Sequence, residues 1–193
     1  EFRRVLFRSA FANNCVYVNL IWPAGALGLL HFARKQGSVA EFIFWYRMGK
    51  ERAELTVALG VIFVTLIATA MNSVSSTAFT REGRHISLLK YIPVPYDTQI
   101  LAKALVSTLI TFPALLAALF ILCIGLGASI KEGLFYAALM FPTHVIGVSA
   151  GMWLDSMSPY TTWDDEYSAL RGNINTFFNM GVMLIIAAAV LGL

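Results

Sequence analysis

The chain has 193 residues, with 14 Lys+Arg against 11 Asp+Glu; 58% of its residues are hydrophobic and only 13% are charged. A soluble domain is about half apolar and about one quarter charged, so the charged fraction here is halved, and the mean hydropathy of +0.71 agrees. This balance excludes a disordered chain and a basic nucleic-acid-binding domain, and two cysteines exclude a secreted disulfide scaffold. The charges are bunched, leaving long uncharged runs, which is the composition of an integral membrane protein.

Residues 1–9, Glu1-Phe2-Arg3-Arg4-Val5-Leu6-Phe7-Arg8-Ser9, read as a translated cloning adapter, because Glu-Phe is what an EcoRI site encodes in frame. They hold three Arg and one Glu, so without them the net charge falls from +3 to +1. The apparent basicity therefore says nothing about partners. At the other end the chain stops at Leu193 inside an apolar run. Both ends read as cuts, and the expectation is that residues 10–193 are a membrane domain truncated on both sides. A signal peptide is not expected, because Asn13, Asn14 and Asn19 interrupt the apolar stretch that follows the arginines.

Five uncharged runs follow in chain order: Ala10 to Ala33, Leu55 to Thr80, Ala104 to Ile130, Gly133 to Leu154 and Gly172 to Leu193. A spanning helix needs about 20 residues at about 1.5 Å each, so all five are long enough. The first is the weakest, because Asn residues, Pro23 and His31 interrupt it. Backbone groups in lipid must be paired internally, and no short alternating strands are visible, so the expected fold is all-α with about five transmembrane helices.

The connecting loops are short: Arg34 to Glu54, Arg81 to Lys103, Lys131-Glu132, and Asp155 to Arg171. Loops one and three carry six basic residues and loops two and four carry five. This difference sets no orientation by the positive-inside rule. Loop one contains Glu41-Phe42-Ile43-Phe44-Trp45-Tyr46-Arg47, whose aromatics suit a short helix at the water–lipid interface; an aromatic ligand cluster is the sharper alternative.

The residues that could carry chemistry are few. No Gly-x-x-x-x-Gly-Lys-Ser/Thr loop is present, so the chain is not its own P-loop ATPase, and there is no His-Glu-x-x-His zinc site. Glu82 and His85 lie three apart, but Gly83 between them and the lack of a third ligand nearby disfavour a metal. His144 lies alone in run four after Pro142. It reads either as an interhelical hydrogen-bonder or as a functional intramembrane group. Cys15 and Cys123 sit in separate apolar runs and read as free thiols. Gly147-x-x-x-Gly151 permits close helix packing. Ser73, Ser75, Ser76 and Thr77 give run two a polar end that either packs or lines a conduit. Asn173 is placed to cap the last helix, and Asn175 and Asn179 should face protein or water.

Loop two is the most structured. Gly83 should break the outgoing helix. Ile86, Leu89 and Ile92 fall on one face of a short amphipathic helix with His85 and Lys90 on another, and Pro93 and Pro95 force an extended elbow. Asp97 is placed to cap the helix leading through Lys103 into run three. Such a segment can pass a partner's push to both flanking spans; equally, it can be a well-made turn.

At this point the sequence resembles a known family. Thr80-Arg81-Glu82-Gly83, then Leu89-Lys90, Pro93-Val94 and Ile100-Leu101-Ala102-Lys103, resemble the bacterial ABC-2 type exporter permeases, which carry Arg-Glu-Gly, Leu-Lys, Leu-Pro-Val/Ile and Ala-Lys in this order between two spans. Leu154-Asp155, Pro159, Trp163-Asp164-Asp165, Ala169, Arg171-Gly172-Asn173 and Asn175 resemble that group's second loop. Ile92 stands in place of the usual Leu, and Arg171 in place of the usual Lys, which keeps the charge but changes the hydrogen-bonding geometry. The resemblance covers about Ser73 to Met180.

The resemblance implies a permease subunit of a multi-pass exporter in the bacterial cytoplasmic membrane, without catalysis of its own and with residues 10–193 as the transmembrane domain. A separate cytoplasmic ATPase would hold the ATP and dock on loops two and four, and a second permease copy or homologous half would complete the transporter. No nucleic acid and no cofactor in this chain are implied. The segment around Ile86 to Tyr91 would be a coupling helix. Glu82, Arg84 and Lys90 would contact the ATPase or brace the elbow, and Leu88, Leu89 and Ile92 would supply apolar docking. Asp164, Asp165 and Glu166 would pair with basic groups of loop two or of the partner. Two alternatives belong to other classes: a secondary transporter or channel, and an intramembrane enzyme using Glu82, His85, His144 and Asp155.

Overall fold

The computed structural model describes residues 10–91, 93–163, 169 and 173–192. Among these, six α-helices and one 3-10 segment make up the regular structure, with no strand: α1 (Ala10–Lys35), α2 (Ser38–Met48), α3 (Lys50–Met71), the 3-10 segment (Thr80–Tyr91), α4 (Tyr96–Leu126), α5 (Ile130–Met157) and α6 (Ile174–Leu191). All except α2 and the 3-10 segment contain stretches long and apolar enough to cross a membrane. Their outer faces carry exposed Leu, Ile, Val and Phe along much of their length. Side chains of that kind have no reason to stay outside a core unless the solvent is lipid.

α4 lies between α1 and α5, while α3 packs on α5 and α6. One core cluster joins α3, α4 and α5 through Ala68, Leu115, Leu119, Tyr136 and Met140. A second joins α3 to α6 through Leu66, Ala70, Met183 and Ala187. Glycines set the closest approaches. A Cβ on Gly147 would lie 2.9 Å from Thr69 Cγ2, and one on Gly151 would lie 2.6 Å from Ser75 Oγ. The Gly-x-x-x-Gly face of α5 is thus where the α3 chain comes in. A Cβ on Gly125 would collide with Leu30, which makes it the equivalent seat between α4 and α1.

Three boundaries differ from the sequence expectation. Run two does not stay helical to Thr80. α3 ends at Met71, and residues 72–79 form consecutive turns. The Asn72 side chain accepts from Val74 N (3.3 Å) and donates to Asn19 Oδ1 (3.3 Å) and Thr111 Oγ1. Thr77 Oγ1 donates to Ser73 O (2.6 Å). Side chains that bond their own backbone offer it an alternative to helix, and a dense Ser/Thr/Asn run takes it. Pro23 does not break its run; α1 continues through it, as α4 does through Pro113 and α5 through Pro142. Neighbouring helices make this tolerable in a membrane bundle. Asp97 does not cap α4, because Pro95 holds the N-cap position and Asp97 lies in the first turn, accepting from Thr98 N (2.9 Å). Finally, Asp155 is not a loop residue: α5 runs on to Met157 and carries it inside the protein.

Other ends follow ordinary capping chemistry. α4 stops at Gly127 (φ 69°), a left-handed residue that a side chain would strain, with Ala128 N donating to Cys123 O (2.8 Å). α5 starts in a reciprocal box: Ser129 Oγ accepts from Glu132 N (3.2 Å), and Glu132 Oε2 accepts from Ser129 N (2.7 Å). Asn173 caps α6 by accepting from Asn175 N (2.9 Å), as its position suggested.

Candidate functional site

The densest polar construction joins loop two to loop four, on the side of the bundle where α3 and α5 end and α4 and α6 begin. Its centre is Asp155, fully buried at the end of α5. Its Oδ2 accepts from Phe79 N (2.6 Å) and Thr80 N (3.0 Å). Its Oδ1 accepts from Thr80 Oγ1 (2.6 Å) and Asn175 Nδ2 (3.1 Å). Four donors replace the water a buried carboxylate loses. Two of them are consecutive backbone N–H groups at the start of the 3-10 segment, so α5 caps loop two from outside, much as an N-cap carboxylate would.

Thr80 is the second hub. Having donated to Asp155, its hydroxyl accepts from Tyr160 N (3.0 Å) and Asn173 Nδ2 (3.1 Å). Its carbonyl accepts from Trp163 Nε1 (2.7 Å). The indole then lies on Gly83, where an added Cβ would be 3.0 Å from Trp163 Cζ2. Gly83 is buried, with φ 54° and ψ −135°, and it kinks the 3-10 segment rather than ending a long helix. No other residue type meets both demands, open backbone and no side chain. Asn175 closes the ring: Nδ2 donates to Ser158 O (2.8 Å), and Oδ1 accepts from Ser158 Oγ (3.2 Å).

Basic groups brace the same corner. Lys103 of α4 donates to Ala78 O (2.9 Å), pairs with Glu82 and lies 5.5 Å above the Phe79 ring. Arg81 donates to Thr77 O and Val74 O (both 3.1 Å), tying the turns to the 3-10 segment. Burial lowers the Arg81 pKa, which Glu82 and Asp155 partly oppose.

The structure thus brings together Glu82, Gly83 and Lys103 from loop two with Asp155, Trp163, Asn173 and Asn175 from loop four. Pro159 lies in the non-helical stretch that follows α5, between Ser158 and Tyr160. Lys90, Pro93 and Tyr91 are exposed at the far end of loop two. Arg84, His85, Leu88 and Leu89 lie in the 3-10 segment by their backbone, with side chains outside the described part. Ile92, Asp164, Asp165, Glu166 and Arg171 lie outside the described residues.

His144 makes the interhelical bond expected of it, Nδ1 to Thr69 Oγ1 (2.8 Å). Thr69 spends its own proton on Thr65 O (2.8 Å), so the imidazole is the donor and carries its hydrogen on Nδ1. His144 and Asp155 are separated by roughly 16 Å of helix rise, so His144 stands apart from the corner that holds Asp155 and Glu82. Asn179 is fully buried, with neither amide atom hydrogen-bonded among the described residues. Cys15 and Cys123 are free thiols.

Sequence reasoning gave Thr80 no role beyond its place in a motif and read Asp155 as a loop boundary. The spacing Ser129-x-x-Glu132 was a legible capping box. Nothing local in the sequence marks Thr80, because its partners are remote in the chain.

The helices and their outer faces define this chain as a multi-pass, all-α membrane protein. In comparisons with known proteins, no family model, curated protein or solved structure matches the chain.

Proposed function

We propose that the chain is the membrane-spanning permease subunit of an ATP-driven ABC-type exporter in the bacterial cytoplasmic membrane. Loops two and four face the cytoplasm and receive a separate ATPase subunit that binds the nucleotide; a second permease copy or homologous half completes the path. One observation carries this reading. The residues through which the two loops resemble ABC-2 type permeases include those that bind the loops to each other: Thr80 and Gly83 on one side, Asp155, Trp163, Asn173 and Asn175 on the other, with the Glu82–Lys103 pair bracing loop two itself. Two chance likenesses in separate loops have no reason to meet in one hydrogen-bonded node. The node also has the mechanical property that coupling needs. Its bonds join the ends of α3 and α5 to the starts of α4 and α6, so a displacement of the 3-10 segment moves four spans together rather than flexing a loop.

Docking rests on the exposed end of the 3-10 segment, since exposed ion pairs contribute only about 0–1 kcal/mol each. The test is gentle affinity purification of the protein from its own membrane, with mass spectrometry of what accompanies it. A stoichiometric P-loop ATPase is expected, lost in Leu89→Asp at an unchanged unfolding temperature. Preparations that keep other transporter complexes together but contain no ATPase, or activity that follows an ion gradient instead of ATP, would overturn the reading.

A further inference from the structure

The opposite end of the bundle holds a partly enclosed cavity of about 410 Å³ between α2, α3, α4 and the start of α5. That volume is in the range of small-molecule sites. Its walls are apolar, with Phe42 of α2, Val61 of α3 and Leu122 of α4 among them, and its polar groups are gathered at the start of α5. There Tyr46 donates to Glu132 Oε1 (3.2 Å), and the Tyr46 and Tyr136 hydroxyls are 3.3 Å apart. Tyr46 has one proton and has given it to the carboxylate, so Tyr136 must donate to Tyr46. Both phenol oxygens then keep acceptor capacity, and the carboxylate beside them only accepts. Burial, and then the bond to Tyr136, raise the Tyr46 pKa, which keeps this phenol in its neutral donor form.

Position adds a second argument. Glu132 and Asp155 are separated by roughly 35 Å of helix rise, about one hydrocarbon thickness, so the two polar constructions sit at opposite interfaces. Val61 and Leu119 lie deeper than the polar node. The cavity therefore runs from a hydrogen-bond-accepting rim at the interface to an apolar interior nearer the midplane, the polarity gradient of the leaflet itself.

We propose that this cavity binds an amphiphile from the surrounding leaflet, with an aliphatic body and a head that donates hydrogen bonds, an alcohol or an amine. The Tyr46–Tyr136–Glu132 node receives the head, and the α3 and α4 walls receive the chain. This inference rests on the membrane placement of the helices and not on how transport is powered.

The test uses the full chain in nanodiscs, a monoacylglycerol with a diazirine in its acyl chain, and the methyl ester of the same acyl chain as the probe without a donor head. Saturable labelling of peptides from α2 and α4 is expected, competed by unlabelled monoacylglycerol, with the ester about 3- to 10-fold weaker for want of the head's hydrogen bonds. Leu122→Trp and Val61→Phe fill the cavity from opposite walls, and each should abolish this labelling. Tyr136→Phe should weaken it by a similar factor while leaving the ester unaffected. Labelling that is non-saturable and spread over all lipid-facing helices overturns the proposal. Equal affinity for the two probes overturns the head assignment, and labelling unchanged in both filled variants overturns the site.

Discussion

The two ends of this bundle solve different problems. At the Asp155 end, chain segments far apart in sequence are joined through side chains that bond backbone: Asp155 to Phe79 and Thr80, Trp163 to Thr80, Asn173 to Ser76. At the Glu132 end, apart from an exposed bond from Arg34 Nη2 to Gly125 O (3.4 Å), the long-range ties among the described residues include side-chain pairs of Tyr46 with Glu132 and Tyr136, and these border open space. A side chain that pairs with a side chain can be released by one rotamer change. A side chain that satisfies a buried N–H or C=O cannot leave without stranding that group. The first end is therefore built to keep its shape, and the second to admit something.

The largest way to break this contrast is Asp155→Ala. It strands two backbone N–H groups, a hydroxyl and an amide in the interior, and thermal unfolding in detergent should show a loss of about 3–5 kcal/mol. Asp155→Asn should recover only part, since an amide offers one acceptor where the carboxylate offers two. An unaltered melting temperature in the alanine variant would mean that the carboxylate does not hold the loops together.

Next comes Gly151→Leu, which drives a side chain into Ser75 and towards Asn179. Overpacking of this kind costs up to about 3 kcal/mol. Gly181 of α6 is the comparison, because a Cβ there meets nothing within 4 Å; Gly181→Leu should leave the unfolding temperature near that of the wild type. Equal losses at both positions would remove the special status of the α5 seam.

Thr80→Val keeps the shape and removes the hydroxyl, at about 2 kcal/mol. Its more telling consequence is local. Amide exchange at Tyr160 should accelerate at least tenfold, while the midplane amides of α5 keep their protection. The smallest effect is expected from Glu82→Gln, about 0–1 kcal/mol, because Glu82 is one-third exposed, water can replace it, and Lys103 keeps its bond to Ala78 O.

Much of this architecture was legible in sequence. The five spans followed from uncharged run length alone, because lipid leaves backbone no choice but helix. The short helix of loop one, the Gly147/Gly151 contact face, the Asn173 cap and the His144 bond followed from residue type and spacing. The two misplaced span ends share one reason. Asn72 and the serines after it were uncharged and so were counted into a span, yet their side chains compete for backbone bonds and stop the helix at Met71. Asp155 was charged and so was assigned to a loop, although a charge with four donors is stable inside a protein.

Sequence by itself therefore determined the class of protein, its solvent and its helices, since hydropathy and local capping act over a few residues. It also marked both loops as unusual, through short motifs read separately. Only the tertiary structure decided that those motifs form one object, that Thr80 sits at its centre, and that the other end of the bundle is hollow. Hydrogen bonds between residues some 75 to 93 positions apart, and the space left between four helices, are properties of how elements are brought together, and no local pattern encodes them.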